Sequence, residues 1–78
     1  MQMKTSEFLT RLGETLMAEG PLTPETELRR LSEWDSMGMV AVLSMIDELL
    51  GATLPRGSIQ KCARVSDILG LVKSHLSD

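Results

Sequence analysis

A chain of 78 residues, 42% hydrophobic and carrying a formal charge of −3 at pH 7, is long enough for one small domain over 1–78 and little else. Its acidic balance speaks against nucleic acid and against an anionic membrane surface, since both need clustered Lys and Arg. The single cysteine, Cys62, excludes an internal disulfide and fits a reducing, cytoplasmic setting, and one Cys with one His cannot close a zinc site.

The opening residues, MQMKTSEF, hold no apolar stretch of the kind a signal peptide needs. No apolar run in the chain reaches the roughly 18 residues of a membrane span, so no membrane insertion is expected. Phe8 and Trp34 are the only aromatic residues, which predicts an aliphatic core. Thr5 reads as the N-cap of a first helix. Phe8, Leu9, Leu12 and Leu16 then recur at three- and four-residue steps, as one buried stripe requires. Gly20 followed by Pro21 reads as its stop.

Residues 20–34 read as a long loop, stiffened by Pro21 and Pro24. Leu22, Leu28, Leu31 and Trp34 are placed to pin it to a core, and a pinned long loop is often functional. Asp35 is the expected N-cap of a second helix, its carboxylate accepting from the amide of Met37 or Gly38. Met39, Val42, Leu43, Ile46, Leu49 and Leu50 form its predicted core face, and Gly51 ends it. ATLP, residues 52–55, is an extended link with Leu54 pointing inward. A short helical turn over 58–62 turns Ile59 and Cys62 inward. The last helix starts at Val65 or Ser66 and buries Val65, Ile68, Leu69, Val72 and Leu76. No segment alternates with period two, so no sheet is expected. The sum is an all-α fold: a small four-helix bundle with three longer helices and one short third helix.

The stretch SEWDSMGMVAVLSMID, residues 32–47, holds the features that bulk packing does not explain. Ser36 would be the first residue of the second helix, with its side chain pointing away from the hydrogen-bonded turns. A helix start offers free N–H groups and a partial positive charge, so a phosphate attached there is electrostatically favoured. The plainer reading is an ordinary first-turn serine beside its cap. Met37, Val40, Ala41 and Ser44 fall on the outward side, where a solvated helix should carry Lys, Glu or Gln. Either they form a docking face, or Met37 and Val40 pack under the long loop. Gly38 stands where a capping box would place Glu or Gln. It either leaves room for an approach to the backbone near Ser36 or is merely tolerated. Charges return only at Asp47 and Glu48.

The segment WDSMGMVAVLSMIDELLGATLP resembles the acyl and peptidyl carrier proteins, whose pattern is Asp-Ser-Leu at the start of a long second helix. The resemblance extends over nearly the whole chain. The loop TELRRLSEWDS, the exit LGATLP, the short third helix and ARVSDILGLV all fall where that family has them. The resemblance implies an acyl-carrier-like bundle, expected to be monomeric. It implies covalent 4'-phosphopantetheine on Ser36, transferred from coenzyme A by a phosphopantetheinyl transferase, with Asp35 beside the attachment point. The arm's thiol would hold cargo as a thioester for a loading ligase or acyltransferase and for downstream acyl-using enzymes, in fatty acid or secondary metabolite biosynthesis. Met37, Gly38, Val40, Ala41, Asp47 and Glu48 fall on the partner-binding face of that family.

Two departures are visible. Met37 replaces the usual Leu, and Gly38 and Ala41 stand where fatty-acid carriers often have acids. The DSMG wording after Trp34 is closer to stand-alone carriers for amino acids, including the D-alanyl carriers, or for specialised acyl groups. The competing reading is an unmodified helical interaction module that uses Met37, Val40 and Ala41. An enzyme is not expected: His75 has no acid or nucleophile at a recognisable spacing, and a lone cysteine such as Cys62 on an apolar face is usually core.

Overall fold

A computed structural model describes residues 3–77, apart from the side chain of residue 56. Residues 1, 2 and 78 of the expected 1–78 domain lie outside the described residues. Four α-helices follow in order: α1 (Thr5–Thr15), α2 (Ser36–Leu50), α3 (Arg56–Gln60) and α4 (Val65–Val72). Two short 3₁₀ turns, Leu28–Arg30 and Lys73–His75, complete the helical content of the described residues. Phe8, Leu12, Leu16, Leu28, Val42, Ile46, Ile59, Val65, Ile68 and Val72 are essentially inaccessible to solvent and form one aliphatic core. This is the bundle expected from the three- and four-residue periodicity. Met45 also enters the core, and its sulfur accepts a 3.2 Å hydrogen bond from the Thr15 hydroxyl, tying α2 to α1. The sequence reading had not included it. Leu9, Met39, Leu43, Leu49, Leu50, Leu69 and Leu76, expected to be buried, are only half-buried against that core.

The absence of a sheet needs correction. Met3–Lys4 (β1) pairs in parallel with Leu76–Ser77 (β2). Two residues are too few to show an alternating pattern, and the partners lie at opposite ends of the sequence. Thr5 is likewise not the N-cap. It is the first helical residue of α1, Lys4 is the cap, and the Thr5 hydroxyl donates to the Ser77 carbonyl at 3.2 Å.

α1 ends at Thr15, well before Gly20. Met17 adopts a left-handed backbone (φ 52°). Its amide donates to the Glu14 carbonyl and the Ala18 amide to the Gly13 carbonyl, at 3.2 and 2.9 Å. That pair of bonds is a Schellman closure, with methionine where glycine is usual. Gly51 (φ 65°) does end α2 as expected, donating to the Asp47 carbonyl. The short third helix sits two residues earlier than predicted, but Ile59 and Cys62 still face inward.

The long loop is held by backbone as well as by leucines. Leu22 and Leu28 are buried, with Leu31 and Trp34 half-buried against the core. The Leu28 amide donates to the Ala63 carbonyl, the Val65 amide to Thr26 and the Ser66 amide to Pro24, at 2.9, 3.0 and 2.9 Å. The loop thereby satisfies amides at the start of α4 that would otherwise lack partners. No helix among the described residues is long and apolar enough to cross a membrane.

Candidate functional site at the start of α2

The chain enters α2 through two tight turns. The Trp34 amide donates to the Leu31 carbonyl at 3.0 Å, and the Asp35 amide to the Glu33 carbonyl at 2.9 Å. Half-buried Leu31 and Trp34 anchor this segment to the core. Asp35 is extended (φ −131°, ψ −170°), and its Oδ1 accepts from the Gly38 amide at 2.9 Å. The expected cap is therefore present, on the second of the two candidate amides.

Ser36 follows as the first residue of α2 and is exposed. Its hydroxyl makes no hydrogen bond to any described residue, and neither does its amide or that of Met37. A hydroxyl in solvent thus stands over two unpaired N–H groups at the positive end of a four-turn helix. A phosphodiester fits this donor set: it needs an accessible oxygen for attachment and gains from nearby N–H groups and the helix dipole.

Met37 is 80% exposed and Val40 43% exposed. The alternative in which they pack beneath the loop is excluded. Ala41 is half-buried and, with Ser44 and Glu48, lines a shallow groove against Arg11, Glu14 and Thr15 of α1. Asp47 and Glu48 are exposed near the far end of α2, about three turns or roughly 16–18 Å from Ser36 at 1.5 Å per residue.

Gly38 departs from its expected place. It is buried, not on the outward face. A Cβ at this position would collide with the Glu33 carbonyl and reach to 3.4 Å from Leu16 Cδ2. The room left by the missing side chain is already filled by the protein's own backbone. Sequence reasoning missed Glu33 because its part is played by a carbonyl, which leaves no residue-type signature. The unexplained glycine was its only trace.

The other reactive groups stay apart from this site. Cys62 is buried and its thiol donates to the Ser58 carbonyl at 3.5 Å. Burial, assisted by the negative charge of Asp67, pushes its pKa up to about 11, so it stays a protonated core thiol at neutral pH. His75 lies half-buried in the last 3₁₀ turn. No group of three or more His, Cys, Asp or Glu is placed to hold a metal among the described residues. No family model matches the chain, and no curated protein or solved structure is detectably similar to it.

Proposed function

We propose that the protein is a carrier that bears 4'-phosphopantetheine on Ser36 and presents an acyl or aminoacyl group to partner enzymes. The observation that carries the reading is the unpartnered, exposed Ser36 hydroxyl at the capped start of α2, beside exposed Met37. When bound, the arm supplies a terminal thiol that holds cargo as an activated thioester. The chain itself performs no chemistry on that cargo. Asp35 fixes the first turn, so that Ser36 is held at a defined place on a rigid helix. The free Ser36 and Met37 amides favour the phosphodiester charge. Met37 and Val40 give a transferase or loading enzyme an apolar surface to bury.

Intact-mass measurement after incubation with coenzyme A, Mg²⁺ and a promiscuous phosphopantetheinyl transferase tests this. A single addition mapping to Ser36 is expected. An unchanged mass, or addition at another serine, would sink it. The exposure of Met37 and Val40 equally favours a second reading, in which the same face docks a partner with no modification. Under that reading the mass stays as encoded while Met37→Ala weakens binding of the partner.

A further inference from the structure

We propose that Gly38 is a positioning residue: packed on the Glu33 carbonyl, it closes a clamp that holds the start of α2 and so aims the Ser36 hydroxyl. This rests on Ser36 being the modified residue. Three contacts form the clamp. The Asp35 amide donates to the Glu33 carbonyl at 2.9 Å. The Gly38 amide donates to Asp35 Oδ1 at 2.9 Å. The bare Cα of Gly38 lies against the same Glu33 carbonyl, so closely that a Cβ would overlap its oxygen and stand 2.9 Å from its carbon.

Ser36 lies inside this ring, between Asp35 and Gly38, and contributes no hydrogen bond to it. Its orientation is therefore set by the three residues around it. A side-chain neighbour could rotate away from an added methyl group. A backbone carbonyl cannot move without stretching the bond it accepts from Asp35, and with it the extended backbone that makes Asp35 a cap. Leu16, the C-cap residue of α1, closes the same side, so the helix start cannot simply tilt. In most helices Gly→Ala strengthens the helix. At position 38 it must displace the clamp instead. This also explains why the Glu or Gln of a capping box is missing there.

The test is Gly38→Ala in the full chain, with a phosphopantetheinyl transferase joining the Ser36 oxygen to the phosphopantetheine phosphorus of coenzyme A as the pyrophosphate bond breaks and adenosine 3',5'-bisphosphate leaves. The expected result is a kcat reduced by about tenfold or more, because small misplacements of a reacting group are costly. KM should stay within about twofold, because Met37 and Val40 still offer their surface. Hydrogen exchange at the position-38 amide should accelerate. Glu33→Gly combined with Gly38→Ala frees the carbonyl to turn aside and should restore part of the lost kcat, which a general loss of folding would not allow. Loading at the original rate, unchanged exchange at position 38, or a rise in KM alone would overturn the proposal. If the unaltered chain gains no mass, the reading of Ser36 falls and the positioning role with it. Accelerated exchange in Gly38→Ala would then still mark the clamp as real.

Discussion

α2 and α4 both begin with a serine in the first turn, Ser36 and Ser66, and with an aspartate nearby, but their ends are finished in opposite ways. At α4 the long loop reaches over. Pro24 and Thr26 carbonyls take the amides of Ser66 and Val65, and the Asp67 carboxylate binds the amides of Ala63 and Arg64 at 2.9 Å each. At α2 the Asp35 carboxylate accepts from Gly38, while the amides of Ser36 and Met37 have no partner among the described residues. A first-turn hydroxyl is thus not what separates the site proposed at Ser36 from an ordinary helix start. The separation comes from what the rest of the chain does with the neighbouring amides and apolar side chains.

The sharpest test of this contrast is chemical. Ser36→Ala should abolish the mass gain with coenzyme A and a transferase, whereas Ser66→Ala should leave it intact. Circular dichroism of Ser36→Ala should be unchanged, because the Asp35 cap does not involve the hydroxyl. Addition at Ser66 would show that free amides are irrelevant to the choice. The next effect is on recognition. Met37→Ala or Val40→Glu should slow loading by about tenfold, the order expected from losing the burial of one apolar side chain. Both residues are exposed, so neither change should unfold the domain. The acids Asp47 and Glu48 lie too far along α2 to dominate, and moderate salt should matter less than either substitution. A steep fall of loading with salt, beside an indifferent Met37→Ala, would reverse that order.

The two aspartates sharpen the comparison energetically. Asp35→Ala should cost roughly 0.5–2 kcal/mol through the lost cap and slow loading as well. Asp67→Ala should lower stability but leave loading unchanged, since Asp67 supports only the closed helix start. The Asp67 carboxyl is held below its usual range by the hydrogen bonds from the Arg64 and Ala63 amides. A carboxyl whose pKa is lowered on folding adds stability above the unfolded value, about 3.9. That stability is lost as pH falls through the lower folded value. Urea melts across an acid series should therefore show a loss of stability below about pH 4 that is reduced in Asp67→Ala. An identical acid limb in both proteins would remove Asp67 from the account.

How far these features could be read from the residues follows from what each one depends on. The stripes of α1, α2 and α4 were legible because apolar spacing at helical period is itself the cause of burial. The Asp35 cap was legible because cap chemistry is local. The loop's hold on α4 was not, since Pro24, Thr26 and Ala63 act through carbonyls that any residue would supply. The β1–β2 pair joins residues more than seventy positions apart, beyond any local pattern. Gly38 was legible as an oddity, but the neighbour that fills its place, the Glu33 carbonyl, was not. The exposure of Ser36 matched expectation, whereas that of Met37 was left open by the residues, because only the path of the folded loop decides whether an apolar side chain beside it is covered.

The smallest effect is expected at Met17, where the loop that closes α4 begins. Gly20 and Pro21 looked like the end of α1, yet the turn is made at Met17, a residue in a left-handed conformation and 73% exposed. That side chain contributes little burial, while the conformation costs an L-residue roughly 1–2 kcal/mol. Glycine adopts it without that cost but is freer when unfolded. Met17→Gly should therefore raise stability by about 1 kcal/mol or less, seen as a higher urea midpoint at unchanged slope. Loading at Ser36 should stay the same, because the clamp of Glu33, Asp35 and Gly38 touches only Leu16 on that side, and Leu16 is held by its own hydrogen bond to the Leu12 carbonyl. A change in loading would mean that strain at Met17 is felt at Ser36 through the loop. The open and closed helix starts would then be two ends of one coupled element, and the contrast between them would no longer be local.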